Sequence, residues 1–397
     1  MLAQALALAA PAGLLNPYGG SEFANALVMD FTRGIYQQNG QPYGGPENLP
    51  GWSYTRSGED LLTQMTDGSW RAYPANNPGV TGAGLPVYEA TTNKCANWNF
   101  TSTSTSGMGT NNTTLTKVAR ADLPAPVLAA LEAVDPRGIV THAFRCVGDG
   151  SVAGQSCSVN AQAGTLNPHT VSVYAYIVSG APVLDLGQAS LGTTPLLTNF
   201  TRTTFTATPD VTSRNLRMRQ PTAAASEWYF FGTQLEEKAY ATPPVIVSGA
   251  SASRGAAVPL ITGLTSLFSG SFTLEWAANK DALTDGTNRR ILTVDNGTAG
   301  QGAIRLDTTN RIQSSIDSVG GQSLASAPLN GTMNIYGWMS FDGTTLRHSV
   351  NGSAVQSVLS AAPVTADRIY PGCTRTGVGQ LNAPLRMAAV YTSARLV

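Results

Sequence analysis

The sequence predicts a mainly β protein, with two tandem antiparallel β-sandwiches following an extended N-terminal segment. Two observations carry this reading. Short β-branched or aromatic runs recur along most of the 397 residues, each bounded by Gly, Pro, Asn or Asp. Helical periodicity is sustained in one place, at 124–134, and no heptad run long enough for a coiled coil is present.

Taken in order, "MLAQALALAAPAGLL" at the start imitates the apolar core of a signal peptide. It lacks the basic region that precedes one, since the first basic residue is Arg33, and it is too short to cross a bilayer. An amphipathic or extended anchoring segment is the preferred reading, with a signal peptide as the alternative. "SEFANALVMDF" (21–31) reads as a short helix. "NGQPYGGPENLPGW" clusters turn formers, and "WSYTRSGEDLLTQMTDGSWRAYPANNPGVTG" reads as short strands around a turn at Asp67-Gly68. Nothing in 1–81 has an apolar period long enough for a core of its own, so this segment should gain order by lying along another surface.

A first β series runs over 82–242. Its strands are "HTVSVYAYIV" (169–178), "TNFTRTTFTA" (198–207), "RNLRMRQ" (214–220) and "EWYFFGTQL" (227–235), at a spacing that suits a sandwich. "PAPVLAALEAV" (124–134) interrupts them as a helix, opened by Pro and stopped by Asp135-Pro136. Pro243-Pro244 can neither donate to a ladder nor continue a helix, so 243–256 reads as a linker. A second β series follows over 257–397, in strands such as "GSFTLEWAAN" (270–279), "RRILTVDN" (289–296), "MNIYGWMSFDG" (333–343) and "LRMAAVYTSAR" (385–395). Asp342-Gly343 and Asn351-Gly352 mark its turns.

Composition removes several function classes. Charged residues are 12% of the chain, and 24 basic side chains balance 24 acidic ones, so no global field favours nucleic acid or an anionic membrane. Low net charge gives little protection against self-association and makes buried contacts cheap to desolvate. Cys95, Cys146, Cys157 and Cys373 form no CxxC pair or metal-ligand spacing, so reduced thiols and no metal site are expected; Cys146 and Cys157 alone are near enough in sequence for a local disulfide. His142, His169 and His348 are dispersed, and none has a nucleophile or carboxylate at a triad spacing.

The stretch "WYFFGTQLEEKAYATPPVIVSGASASRGA" (228–256), preceded by "HTVSVYAY" (169–176), resembles a pattern in virion structural proteins of tailed bacteriophages. There an aromatic strand ends in "QLE" before a small, extended crossing with a Pro and an Arg. "GAGLPVYEATTNKCANWNF" (82–100), "DFTRG" (30–34) and 54–78 resemble earlier parts of the same group, so the likeness covers about 30–397. Lys94, Cys95 and "TSTSTSGMGTNNTT" (101–114) depart from its pattern. The resemblance implies a carbohydrate-binding-module-like jelly roll at 82–242, then a laminin-G or concanavalin-like sandwich at 257–397. It also implies a fibre, spike or capsid decoration subunit, non-enzymatic, made in the host cytoplasm and displayed on the virion surface. Residues 1–80 would contact capsid or tail proteins, and the protein would form a homo-oligomer, a trimer in first place and a dimer in second.

The chemistry available is that of binding. Cleavage of a glycan needs two carboxyl groups about 5–10 Å apart, and Glu275 and Glu89 each stand alone while Glu236 and Glu237, being adjacent, point opposite ways in an extended chain. Glu89 is expected to fix a turn by accepting backbone N–H groups. A glycan-binding site needs an aromatic face and neutral hydrogen-bonding neighbours. Trp98 with Asn97 and Asn99, and Trp338 with Tyr336 and Asn334, are the candidate groups for a host-surface glycan, each Trp having a core position as its alternative. Arg217 and Arg219 form a basic stripe opposite Leu216 and Met218. Calcium is the one cofactor candidate, through the loops "DALTDGTN" (281–288) and "DNGTAGQG" (295–302), which match no defined calcium loop. Two further readings are a glycan-binding tail protein for receptor recognition and a polysaccharide-cleaving depolymerase.

Overall fold

The computed structural model describes residues 26–65, 69–95, 105, 107–247, 250–279, 287–298, 300–316, 322–329, 334–359 and 365–394. Strands dominate it, and among the described residues the paired strands run antiparallel. The chain divides into two compact units. A mid-chain unit comprises Ser57–Ala75 and Ala90–Gly255; a split unit comprises the described residues up to Arg56, Asn76–Glu89 and those from Ala256 onward.

In the mid-chain unit one five-stranded sheet has the order Thr113–Ala119, His142–Asp149, Ala225–Glu236, His169–Ser179, Thr201–Ala207. The other has Thr194–Pro195, Val183–Asp185, Asn215–Gln220, Gln155–Gln162, Met108–Asn111. Alternation decides what Asn215–Gln220 buries, with Leu216 and Met218 entering the core; Phe144, Cys146, Trp228 and Phe230 enter it too, and Ala225–Glu236 is buried on both faces from Trp228 on. Phe144 stacks on Phe230 at 5.3 Å. The hairpin of Leu61–Gln64 and Trp70–Tyr73 puts Trp70 edge-on against Tyr174 (4.6 Å) and Phe231 (5.4 Å). The helix Ala125–Val134 buries Val127 and Leu131, in line with the sequence. Asp135 ends it: its carboxylate accepts Ile139 N at 3.1 Å, Val140 N at 2.7 Å and Arg120 Nη1 at 2.8 Å. Four strands of this unit, within 108–162, lie outside the runs read as strands from the sequence; of these Thr113–Ala119 is rich in Thr and Gln155–Gln162 carries Ser156 and Ser158.

In the split unit a nine-stranded sheet runs Gln356–Leu359, Thr345–Val350, Asn334–Phe341, Phe272–Asn279, Ala383–Tyr391, Leu27–Asp30, Ile35–Gln38, Gln41–Tyr43, with Leu85–Val87 also paired to Ala383–Tyr391. A seven-stranded sheet runs Gln322–Ala325, Ile312–Ile316, Gly300–Leu306, Arg289–Asp295, Arg368–Pro371, Val258–Ile261, Trp52–Thr55. Leu274, Trp276, Ile335 and Met339 from the first share a core with Ile291, Ile304 and Ile369 from the second. The predicted turn at Asn351-Gly352 has both residues at positive φ, 50° and 74°.

The expected boundaries of 1–81, 82–242, 243–256 and 257–397 do not match these units. The chain changes unit at 56/57, 75/76, 89/90 and 255/256. The described residues 26–56 of the N-terminal stretch order on the chain's own sheets and share the split unit's core through Leu27, Met29, Phe31, Tyr36, Leu49 and Tyr54. Leu27–Asp30, expected at the end of a short helix, is instead a strand paired on one side with Ala383–Tyr391 and on the other with Ile35–Gln38. All four of its residues are buried: Leu27 and Met29 in the main core, and Val28 on the opposite face with Ala26, Ala389 and Tyr391. A strand buried on both faces shows no alternation, so its apolar run cannot be told from a helix by period. Residues 243–255 are not a linker either. Ala252–Arg254 pairs with Thr91–Asn93, and Val245 and Val247 are buried within the mid-chain unit.

Candidate functional site

The strand Ala225–Glu236 ends where two carboxylates follow one another, and the structure separates them. Glu236 is wholly buried and Glu237 is exposed. The Glu236 carboxylate accepts four hydrogen bonds: Thr242 N (2.9 Å) and Gln234 Nε2 (2.9 Å) at Oε1, and Thr242 Oγ1 (2.7 Å) and Thr91 Oγ1 (2.8 Å) at Oε2. Two further buried amides continue the work. Gln234 Oε1 accepts Val245 N at 2.8 Å. Asn93 donates to Thr233 O (3.1 Å) and Val245 O (3.3 Å), and its Oδ1 accepts Leu235 N (3.2 Å) and Cys95 N (3.0 Å). Proline has no N–H for a ladder, so the Pro243-Pro244 crossing is tied through carbonyls and neighbours: Arg254 Nη1 donates to Pro243 O at 3.0 Å and Arg202 Nη1 to Thr242 O at 2.6 Å. Side-chain amides and a carboxylate thus stand in for the missing strand.

Beside this latch lies a cavity of about 560 Å³ in the mid-chain unit. The Thr91–Asn93/Ala252–Arg254 pair supplies Thr91, Thr92, Ser253 and Arg254 to its wall, and Lys94, Glu237 and Lys238 join them. Gly58 closes another side at φ +83°, where a Cβ would run into the carbonyl of Ser253. Thr92 Oγ1 and Ser253 Oγ are hydrogen-bonded at 2.7 Å. The Lys94 ammonium is held on three sides, donating to Ala163 O and lying 3.1 Å from His169 Nε2 and 3.5 Å from Glu237 Oε2. Asn167 Nδ2 donates to Glu237 Oε1 at 2.6 Å, and chiefly this bond, with help from Lys94, holds the Glu237 carboxyl below its usual range. The wall therefore offers hydroxyls, three cationic side chains and a single carboxylate.

The sequence-predicted residues fall elsewhere. Asn97, Trp98 and Asn99 lie outside the described residues. Tyr336 and Trp338 share one face of Asn334–Phe341, opposite Ile335 and Met339, as alternation requires. Trp338 is only 5% exposed, opposite Glu275 and Ser349 in register, and a ring so covered has no open face for a sugar to stack on; Tyr336 is half-buried. Glu89 belongs to the split unit, where its carboxylate meets the Arg289 guanidinium and its own N–H donates to Asn382 Oδ1 at 2.8 Å. These are contacts far along the chain, which the expectation of a local turn did not include. Arg217 and Arg219 both converge on buried Asp185, the first through two bonds of 2.9 and 2.8 Å and the second at 2.9 Å, so their charge is partly spent within the sheet.

All four cysteines are free and buried, and burial pushes the Cys95 and Cys373 thiols up to about 12. Of the two calcium-candidate loops, 280–286 lies outside the described residues, while Asp295 and Asn296 accept backbone N–H groups of Gly297 and Thr298. Among the described residues no group of three or more His, Cys, Asp or Glu is placed to hold a metal ion, and no helix is long and apolar enough to cross a membrane. Sequence reasoning flagged the stretches 82–100 and 228–256 but not the cavity, because the pairing of Thr91–Asn93 with Ala252–Arg254 spans some hundred and sixty residues.

No family model matches the sequence, and a search of curated proteins gives no match. Among solved structures, the chain is similar to the CBM40 of the Ruminococcus gnavus IT-sialidase, at 12% identity over 33% of this chain and 81% of that one, with a TM-score of 0.29. The same domain bound to alpha2,6 sialyllactose gives 12% identity over 32% and 79%, with a TM-score of 0.27. The binding domain of botulinum neurotoxin DC in complex with SialylT gives 9% identity over 36% and 37%, with a TM-score of 0.29.

Proposed function

We propose that this chain is a non-enzymatic glycan-binding structural protein, with the cavity beside Lys94 and Glu237 as its saccharide site. The observation that carries the reading is the composition of that wall: hydroxyls and cations surround one available carboxylate, while the adjacent Glu236 is buried and fully hydrogen-bonded. Such a wall can orient sugar hydroxyls. Among the described residues that line it, Glu237 is the single carboxylate, whereas hydrolysis of a glycosidic bond requires two. The setting we propose, the surface of a tailed-phage particle as fibre, spike or decoration subunit in a closed oligomer, is supported by the sequence resemblance, whose stretches 90–95 and 228–255 build the latch and the cavity wall.

A glycan array probed with the full-length protein tests the binding. Saccharide binding that Thr92→Ala weakens while the thermal melt is unchanged supports it, and an array without signal overturns it. Mass spectrometry of purified particles tests the setting, which fails if the protein is absent from them. Release of reducing ends from a bound polysaccharide would favour the depolymerase reading instead.

A further inference from the structure

We infer that the mid-chain unit makes its own covalent cross-link: an amide bond between Lys94 Nζ and Asn167 Cγ, formed once in the folded chain with release of ammonia. This does not depend on the saccharide reading. A primary amine, a carboxamide, a carboxylate and an imidazole converge at this point of the fold. The Glu237 carboxylate touches both reacting groups, Asn167 Nδ2 at 2.6 Å through Oε1 and Lys94 Nζ at 3.5 Å through Oε2. Amine and carboxamide therefore meet at neighbouring oxygens of one group. Holding them there turns an encounter between separate molecules into an intramolecular step.

Each proton transfer has a residue in place. His169 is buried, and its Nδ1–H donates to Asn167 O at 2.7 Å, which leaves the Nε2 lone pair facing Lys94 Nζ at 3.1 Å. Ala163 O, 3.0 Å from the same ring nitrogen, takes its hydrogen from Lys94 instead. The Lys94 ammonium thus passes a proton to His169 Nε2, and the freed amine attacks Cγ of Asn167. As the C–N bond forms, Glu237, kept ionised chiefly by the Asn167 amide, takes a proton from the attacking nitrogen and hands it to Nδ2. The Cγ–Nδ2 bond breaks, and ammonia leaves with the proton stored on His169 as ammonium. No oxidant or co-reactant is needed. Asn167 is exposed, so the product has an exit. Pro168 has no N–H, so it cannot attack the Asn167 carboxamide as the next residue's nitrogen does in ordinary deamidation, and the group remains available to the lysine.

Intact-mass spectrometry of the full-length protein, unfolded after purification, tests this. We expect a mass short by one ammonia and, after trypsin, a branched peptide that joins the stretches around Lys94 and Asn167, with no cleavage after Lys94. Lys94→Arg keeps the charge but is no nucleophile, and Asn167→Ala has no carboxamide; both should show their full mass. Glu237→Gln keeps a hydrogen-bonding group without the base and should cross-link about a hundredfold more slowly, read from the linked fraction over time. Protection of buried Cys95 from alkylation checks that each variant is folded. Full mass in folded wild-type protein after days at room temperature overturns the inference, as does a link formed equally fast by Glu237→Gln. Loss of one water, with Lys94 joined to Glu237, overturns it too, by making the carboxylate the acceptor.

Discussion

In the split unit, the strand Leu27–Asp30 enters a sheet between Ala383–Tyr391 and Ile35–Gln38 and is held by a backbone ladder on both sides. In the mid-chain unit, the segment around Pro243-Pro244 has no such ladder, and Asn93, Gln234 and Glu236 hold it by side chains that imitate one. Both devices bring a distant stretch of chain onto a sandwich and satisfy its backbone polar groups. They differ in what they demand of sequence. A ladder accepts any residue with an N–H, whereas the latch needs two amides and a carboxylate at fixed places. The first leaves almost no mark in the sequence and the second leaves "QLEE".

The comparison breaks most visibly by deletion. Removing residues 1–38 takes two strands from the nine-stranded sheet and bares the edge of Ala383–Tyr391, so the split unit should lose its cooperative transition while the mid-chain unit keeps its own. Pulsed alkylation separates the two, because buried Cys373 reports on the split unit and buried Cys95, Cys146 and Cys157 on the other. If Cys373 stays protected in the truncated chain, the N-terminal strands are an attachment and not part of the core.

The latch should give way to a single change. Glu236→Ala leaves Thr242 N and the Gln234 amide without their acceptor in a buried site, a loss of about 3 kcal/mol to the mid-chain unit. Chemical denaturation followed by alkylation of Cys95 measures it, and Cys373 protection should not move. A smaller effect is expected at Asp185, where Asn removes the charge that two partly exposed arginines share. That should destabilise the mid-chain unit by about 1–2 kcal/mol, read as a shift in the denaturation midpoint.

The smallest effect concerns acid. Arg347 first, then the backbone N–H groups of Thr344 and Thr345, hold the Asp342 carboxyl well below the usual range in the turn of the split unit. A folded value below the unfolded one of about 3.9 contributes stability that is present above pH 4 and is lost as pH falls toward the folded value. Asp342→Asn should therefore flatten the acid limb of the split unit's pH–stability curve and leave the mid-chain unit's unchanged. An identical acid limb in the variant would show that the turn takes nothing from this charge.

Much of the local order was legible. The strands His169–Ser179, Asn215–Gln220 and Ala225–Glu236, the helix Ala125–Val134 and the turn at Asn351-Gly352 follow from β-branched or aromatic runs bounded by turn residues, a helical period and residues suited to positive φ. The opposite fates of Glu236 and Glu237 were not legible: Glu236 is the last residue of a strand buried on both faces from Trp228 on, and Glu237 lies just past its end. The site was legible only in fragments. "EATTNK", "QLEEK" and "SASRG" each stood out, yet nothing local says that Thr92 and Ser253 touch or that Lys94 faces Glu237.

What the sequence by itself determined is the antiparallel β class, the face each strand buries and the places where strands turn, because these depend on neighbours two to four residues away. Only the tertiary structure decided which stretches come together: that Leu27–Asp30 joins Ala383–Tyr391, that Trp52–Thr55 joins Val258–Ile261, and that Trp70 packs in the core of the mid-chain unit with Tyr174 and Phe231. The physical reason is that a strand edge presents the same N–H and C=O groups whatever its side chains. Partner choice is settled by the summed burial of whole faces over distant residues, a quantity that no short window of sequence contains.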